Sequence, residues 1–158
     1  MSLLVVRHAR AKSRQRWDGD DPSRPLTKAG RAQAKALVPV LAAPSPTRVL
    51  SSPSLRCTQT VEPLASHLGI PLEVDQDLAE GNIVKTLLLL RRIAGLTAVV
   101  CTHGDVIPEV LWALSERDGM VVPPSPLCAK GSTWVLENNL GHFASATYVE
   151  PPVAQPKP

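Results

Sequence analysis

The strongest constraint on this fold is a set of short, unbroken apolar runs, each followed by a segment with helical periodicity. Residues 97–101 (Thr-Ala-Val-Val-Cys) form the clearest run and residues 3–6 (Leu-Leu-Val-Val) the next. Residues 48–51 and 71–74 are weaker versions of the same pattern. A strand that is apolar at successive rather than alternate positions is covered on both faces. Helical spacing fills the gaps. One helix is predicted from about 27 to 41, with Thr27 as its cap and Ala32, Ala36, Leu37 and Leu41 on one face. A second spans 55–68, opened by Pro53 and closed by Gly69, and Pro63 predicts a kink or early break within it. Residues 83–93 and about 106–114 give two more, with Pro108 tolerated in a first turn. Two late strands, 133–136 and 144–149, read as a hairpin across 138–142. The alternation predicts an α/β fold, a three-layer sandwich with a mostly parallel central sheet and helices on both faces. A single domain is expected over 1–150, followed by a Pro-rich tail, 151–158, expected to be disordered.

Composition narrows the classes of function. Hydrophobic residues make up 44% of 158, enough for a true core, while aromatics are only 3%, so Leu, Val and Ala must build it. The net charge of +3 is uneven: nine of 17 Lys and Arg fall within the first 35 residues. Asp18, Asp20 and Asp21 interrupt that basic stretch and no nucleic-acid-binding motif accompanies it, so a nucleic-acid partner is not expected. Cys57, Cys101 and Cys128 lack metal-ligand spacing and form no disulfide framework, and Cys101 reads as a small core residue. The apolar run at 3–6 is too short for a signal peptide or a membrane span, which makes the cytoplasm the expected compartment and a membrane partner unexpected.

In open α/β sheets, ligands bind at the carboxyl ends of the strands. The first strand ends in Arg7-His8, the second in Ser51-Ser52-Pro53 with Arg56 three residues on, and the fourth in Thr102-His103-Gly104. Two arginines and two histidines are thus delivered to one edge. Arginine offers a planar fork that matches phosphate oxygens, and histidine is a nucleophile when neutral and a donor when charged. An Arg-His dipeptide alone says little. The joint pattern predicts a phosphate pocket with a candidate nucleophile inside it.

These stretches carry a family resemblance. Val5-Val6-Arg7-His8-Ala9 resembles the Arg-His-Gly signature of the histidine phosphatase superfamily (phosphoglycerate mutase-like), with Ala where Gly is commoner. Residues 51–60, Ser-Ser-Pro-Ser-Leu-Arg-Cys-Thr-Gln-Thr, are similar to its second arginine motif, and Thr102-His103-Gly104 to its second histidine. The stretch from Arg24-Pro25-Leu26-Thr27 through Gly30 to Gln33-Ala34 resembles its first helix. The short length and the Ala variant are similar to a compact branch, the SixA-type phosphohistidine phosphatases and the phosphatase domain of Nudix-fused actinobacterial proteins. No Nudix signature is present.

The resemblance implies that His8 attacks phosphorus and is transiently phosphorylated, while Arg7, Arg56 and His103 hold the phosphoryl oxygens, with no metal or cofactor required. It implies a small phosphorylated substrate or a phosphoprotein. Glu80 falls where family members carry a general acid, and it reads equally well as a loop carboxylate before a helix. Asp105, its rival, reads better as the cap of the following helix. Lys12 and Ser13 are candidate substrate contacts from the loop after His8. Arg10, Arg14 and Arg16 are candidates for a second phosphate, although each singly reads as solvated charge. Trp17 reads as a loop anchor, Trp112 and Trp134 as core, and His67 and His142 as uninvolved. A phosphate-binding module without turnover is the leading alternative. A mutase ranks lower, because the chain has little room for the insertions that shield a phosphoenzyme. Specificity is expected from loops 10–25 and 119–131, and the oligomeric state stays open.

Overall fold

The computed structural model describes residues 1–153. Strand β1 (Ser2–Arg7) pairs in parallel with β4 (Ala98–Thr102), which pairs with β2 (Arg48–Ser51), which pairs with β3 (Leu72–Val74). On its other side β1 runs antiparallel to β5 (Thr133–Asn139), which closes a hairpin with β6 (His142–Val149). The sheet order is β3-β2-β4-β1-β5-β6, so β1 and β4 lie at its centre.

The apolar runs are continuous because the sheet is buried on both sides. Leu3 and Val5 of β1, with Ala98 and Val100 of β4, face one core. Leu4 and Val6, with Val99 and Cys101, face the other. Helices α3 (Ile83–Ile93) and α4 (Ile107–Asp118) cover the first face, and α1 (Lys28–Ala42) and α2 (Leu55–Leu68) the second. This is the three-layer arrangement the sequence predicts. The Thr27 side chain accepts from the Gly30 N–H at 3.0 Å and caps α1, and Gly69 ends α2 in the left-handed conformation at φ 67°. Both β5 and β6 run longer than the sequence pattern, meeting at Leu140-Gly141 with φ of 51° and 85°. Two successive positive φ values are the hallmark of a tight hairpin turn.

Three expectations are corrected. Pro63 does not end α2, which continues to Leu68. Trp112 is not core: Val110, Leu111 and Leu114 form the buried face of α4, while Trp112 lies off that stripe and is half exposed. Asp105 does not cap α4, whose first turn is closed by the His103 carbonyl accepting from Val106 and Ile107; the Asp105 carboxylate instead accepts from Gly81 N–H at 2.9 Å. Trp134, by contrast, is buried in the core.

A small satellite cluster of Ala9, Ala11, Leu26 and Ala34 pins the loop after β1 onto α1. The contact is close. The Arg10 carbonyl passes so near Gly30 that a β-carbon there would lie 1.9 Å from it. The loop is further fixed by an isolated bridge between Ala11 and Leu26 and by a single 3₁₀ turn, Asp21–Ser23. Among the described residues no helix is long and apolar enough to cross a membrane. The predicted tail begins at 151; Pro152 lines a hollow beside α1, and residues 154–158 lie outside the described residues.

Candidate active site

Parallel strands in one sheet present their carboxyl ends along one edge, so the residues after β1, β2 and β4 meet there. His8, Arg56 and His103 line a single cleft of about 750 Å³, with Arg7 and Glu80 beside them. The rings of His8 and His103 stand edge to face, with centroids 5.6 Å apart.

His8 is 6% exposed. Its Nδ1 lies 2.8 Å from the Ala9 carbonyl. A carbonyl can only accept, so Nδ1 carries the proton and the lone pair of the neutral ring sits on Nε2. Among the described residues no group hydrogen-bonds Nε2, and the ring borders the cleft. Burial drives the His8 pKa down to about 3. The Ala9 carbonyl opposes the shift, and the charges of Arg56, His103 and Arg7 add to it. The ring is therefore uncharged throughout the neutral range.

Arg7 packs flat against Gly104, where a β-carbon would stand 2.5 Å from the guanidinium carbon. Its Nη1 donates to the Cys128 carbonyl at 2.6 Å. Arg56 sits in the first turn of α2, 1% exposed, and donates to the Asp21 carbonyl at 2.9 Å and to the Asp21 carboxylate at 3.0 Å. The Nε atoms of Arg7 and Arg56 are both buried, with no hydrogen-bond partner among the described residues. Two guanidiniums with unfilled donors beside two imidazoles make a site that an anion would complete.

Glu80 reaches the same cleft from the loop after β3. Its carboxylate pairs with Arg14 at 3.1 Å and with Arg56 at 3.5 Å, and the side chain is 43% exposed. Lys12 and Ser13 line the outer wall, and Asp105 borders the cleft while bound to Gly81. Arg14 is tied to Asp21 and Glu80. Trp17 does anchor its loop, donating from Nε1 to the Asp20 carbonyl at 2.9 Å. Arg16, His67 and His142 are not among the residues that line the cleft. Among the described residues no group of three or more His, Cys, Asp or Glu side chains is gathered as a metal site.

Four contributors escaped the sequence reading. Asp21 is the partner of Arg56, Arg24 and Arg14. Burial works against its ionisation, but the Arg24 hydrogen bond and the Arg56, Arg24 and Arg14 charges prevail and hold the carboxyl below its ordinary value. Ser52 contacts His103 Nε2. Thr60 accepts from Ala9 N–H at 2.9 Å and donates to the Arg56 carbonyl at 2.7 Å, tying α2 to the turn beneath His8. Lys130 reaches the cleft from the loop before β5. Ser52 and Thr60 fall inside the Ser-Ser-Pro…Gln-Thr stretch, which was the available signal. Asp21 and Lys130 depend on loop paths that no local pattern encodes.

The fold and this edge define an α/β protein whose histidines and arginines converge at the carboxyl ends of parallel strands. The chain belongs to the histidine phosphatase superfamily (branch 1), whose model matches residues 3–87. An 8-oxo-(d)GTP phosphatase of Mycolicibacterium smegmatis is 42% identical over 158 residues, covering 96% of this chain and 48% of that protein. The chain thus spans about half the length of this curated relative. Among solved structures, the protein histidine phosphatase SixA bound to tungstate superposes with a TM-score of 0.73 at 22% identity, covering 95% of each chain. A candidate phosphohistidine phosphatase SixA of Nakamurella multipartitia gives 0.74 at 26% identity, over 97% of this chain and 96% of that one.

Proposed function

We propose that this chain is a metal-independent phosphatase in which His8 Nε2 attacks phosphorus and a phosphohistidine forms and is hydrolysed. The observation that carries this reading is the state of His8. It is neutral, its Nδ1–H is held by Ala9, and its free nitrogen borders a cleft shared with Arg7, Arg56 and His103.

In the first step Nε2 forms a bond to phosphorus as the bond to the leaving oxygen breaks. Arg7, Arg56 and His103 hold the equatorial oxygens, where charge is spread in the transition state. Water then attacks the phosphohistidine, releasing phosphate and restoring the neutral ring. Glu80 supports proton transfer to a poor leaving group, and Lys12 and Ser13 contribute to substrate binding at the outer wall. Substrates of this reading are phosphohistidine in a protein, nucleotides, or other small phosphates. It also places the catalytic unit in one domain spanning residues 1–150.

The test is release of phosphate from p-nitrophenyl phosphate with chelator present, in wild type and His8→Ala. Chelator-resistant turnover that disappears in the variant supports the reading. Absence of turnover in wild type, with phosphate still bound, makes the chain a phosphate-binding module instead.

A further inference from the structure

A second cationic group lies outside the His8 cluster. Arg10, Lys12, Arg24 and Lys130 all border the cleft. Arg24 is occupied by Asp21 and by the Lys12 carbonyl. Among the described residues Arg10, Lys12 and Lys130 have no carboxylate partner, although Asp21 and Glu80 stand nearby and pair with other arginines. Lys130 is held below the ordinary lysine range, first by burial and then by the charges of Arg7, Arg24 and Arg10. Like charges gathered without counter-ions raise the energy of the empty site and lower it when an anion arrives.

The placement of Arg10 and Lys130 is built into the fold. One side chain, Gln33 of α1, clamps both: its Oε1 accepts from Arg10 N–H at 2.9 Å and its Nε2 donates to the Lys130 carbonyl at 3.3 Å. The Arg10 carbonyl in turn accepts from Thr27 N–H at 3.0 Å. Next to Lys130, the Gly131 N–H donates to the carbonyls of both Arg7 and His8 at 3.1 Å. Arg10 therefore follows His8 by two residues, and Lys130 is tethered to the end of the same strand. Arg10 and Lys130 also border a second hollow of about 470 Å³, formed with Ala29, Ala32, Gln33 and Pro152. The two cations stand on the saddle between that hollow and the catalytic cleft.

We propose that Arg10 and Lys130 form a second phosphate subsite, and that the site takes a terminal phosphoanhydride whose organic group extends over them toward the second hollow. The proposal rests on the reading of His8 as nucleophile. His8 Nε2 bonds to the terminal phosphorus, the bridging P–O bond breaks, and its electron pair stays on the oxygen of the inner phosphate. Arg10 and Lys130 neutralise the charge that grows there. Water then cleaves the N–P bond, so the sum is phosphoanhydride plus water giving a phosphomonoester and phosphate. A phosphate leaving group needs no proton at the moment of cleavage, which suits a site whose candidate acid, Glu80, is engaged by two arginines.

The experiment compares wild type with Arg10→Ala, Lys130→Met and the double variant, after melting curves establish that each folds. Calorimetry gives Kd for inorganic phosphate and for methylenediphosphonate, and kinetics give kcat/KM for p-nitrophenyl phosphate and a nucleoside 5′-diphosphate. The expected result is at least tenfold tighter binding of the diphosphonate than of phosphate in wild type, an advantage lost in the double variant. Turnover of the diphosphate falls at least tenfold there, while that of p-nitrophenyl phosphate changes less than threefold. Equal affinity for the two anions in wild type, or an equal fall for both substrates, overturns the subsite. If wild type turns over no substrate, the His8 reading fails, and the two Kd values still decide whether the subsite exists.

Discussion

Ser52 holds the imidazole ring of His103. Its Oγ lies 2.8 Å from His103 Nε2, both residues are buried, and the same oxygen accepts from Ser54 N–H at 3.3 Å. On the other side of the ring, His103 Nδ1 lies 3.5 Å from Arg56 Nη2. Ser52 thus holds the imidazole from the end opposite Arg56 and fixes its orientation. Ser52→Ala removes this contact. A buried hydrogen bond is worth about 1–3 kcal/mol when one partner is left unsatisfied, so kcat/KM for p-nitrophenyl phosphate is expected to fall roughly 10–100-fold with an unchanged circular dichroism spectrum. Unaltered turnover would remove Ser52 from the positioning of His103.

His8→Ala is expected to abolish turnover, by roughly 1,000-fold or more, since among the described residues no other side chain offers a free nitrogen in the same place. Rapid acid-free quenching of wild type with a labelled substrate should trap label on the protein, and the variant should trap none. Label that persists in the variant would move the nucleophile elsewhere.

The pH dependence follows from the burial of His8. Its pKa is near 3 in the fold and 6.5 in an open chain. Between those values the unfolded chain holds a proton that the native chain does not. Stability from this group is complete above pH 6.5 and declines as pH falls, by about 1.4 kcal/mol per pH unit. Relative to His8→Gln, wild type should lose ~2–3 kcal/mol between pH 7.5 and 4.5 in denaturant titrations. Once corrected for substrate ionisation, kcat/KM should show no acid limb near 6.5 arising from His8. A limb there that vanishes in a variant lacking the Ala9 contact geometry would contradict the neutral-ring assignment.

Gly30→Ala tests how the loop is seated. In an exposed helix interior this change ordinarily stabilises by about 0.5–1 kcal/mol. Here the new methyl would collide with the Arg10 carbonyl. The expected effect has the opposite sign, a loss of roughly 2–4 kcal/mol seen as a lower Tm. A neutral or raised Tm would mean that the loop yields freely.

Glu80→Gln should slow hydrolysis of alkyl phosphates more than of p-nitrophenyl phosphate, because only the former need a proton on the departing oxygen. Initial rates on both substrates decide it. An equal fall on the two would assign Glu80 to holding Arg14 and Arg56, not to proton transfer.

The parts legible in sequence are those decided by local periodicity. Central strands such as β4 are apolar at every position because cores lie on both faces, and that run cannot be mistaken for a surface strand. The same logic located His8, Arg56 and His103, since each follows such a strand directly or by one helical turn. Trp112 was misread because hydrophobicity alone does not say which side of a helix a residue occupies; it sits about 100° from Leu111 around α4. Asp105 holds a position that suits a cap, yet the loop after β3 supplies it with a different donor, Gly81. Lys130 and Asp21 enter the site only through long-range closure of two loops, and the Gln33 clamp joins residues 97 positions apart.

The strand that leads into His8 is zipped on both edges, in parallel to β4 and antiparallel to β5. Fraying at the margins of the sheet therefore leaves His8 in register. Its release requires breaking the most protected ladder in the molecule, the kind of opening that coincides with global unfolding. Catalytic competence in this chain is accordingly all-or-none with respect to heat: hydrogen exchange at Val5 and Val6 and thermal inactivation should report one and the same cooperative event, and gradual loosening belongs to the rim around residues 12–20.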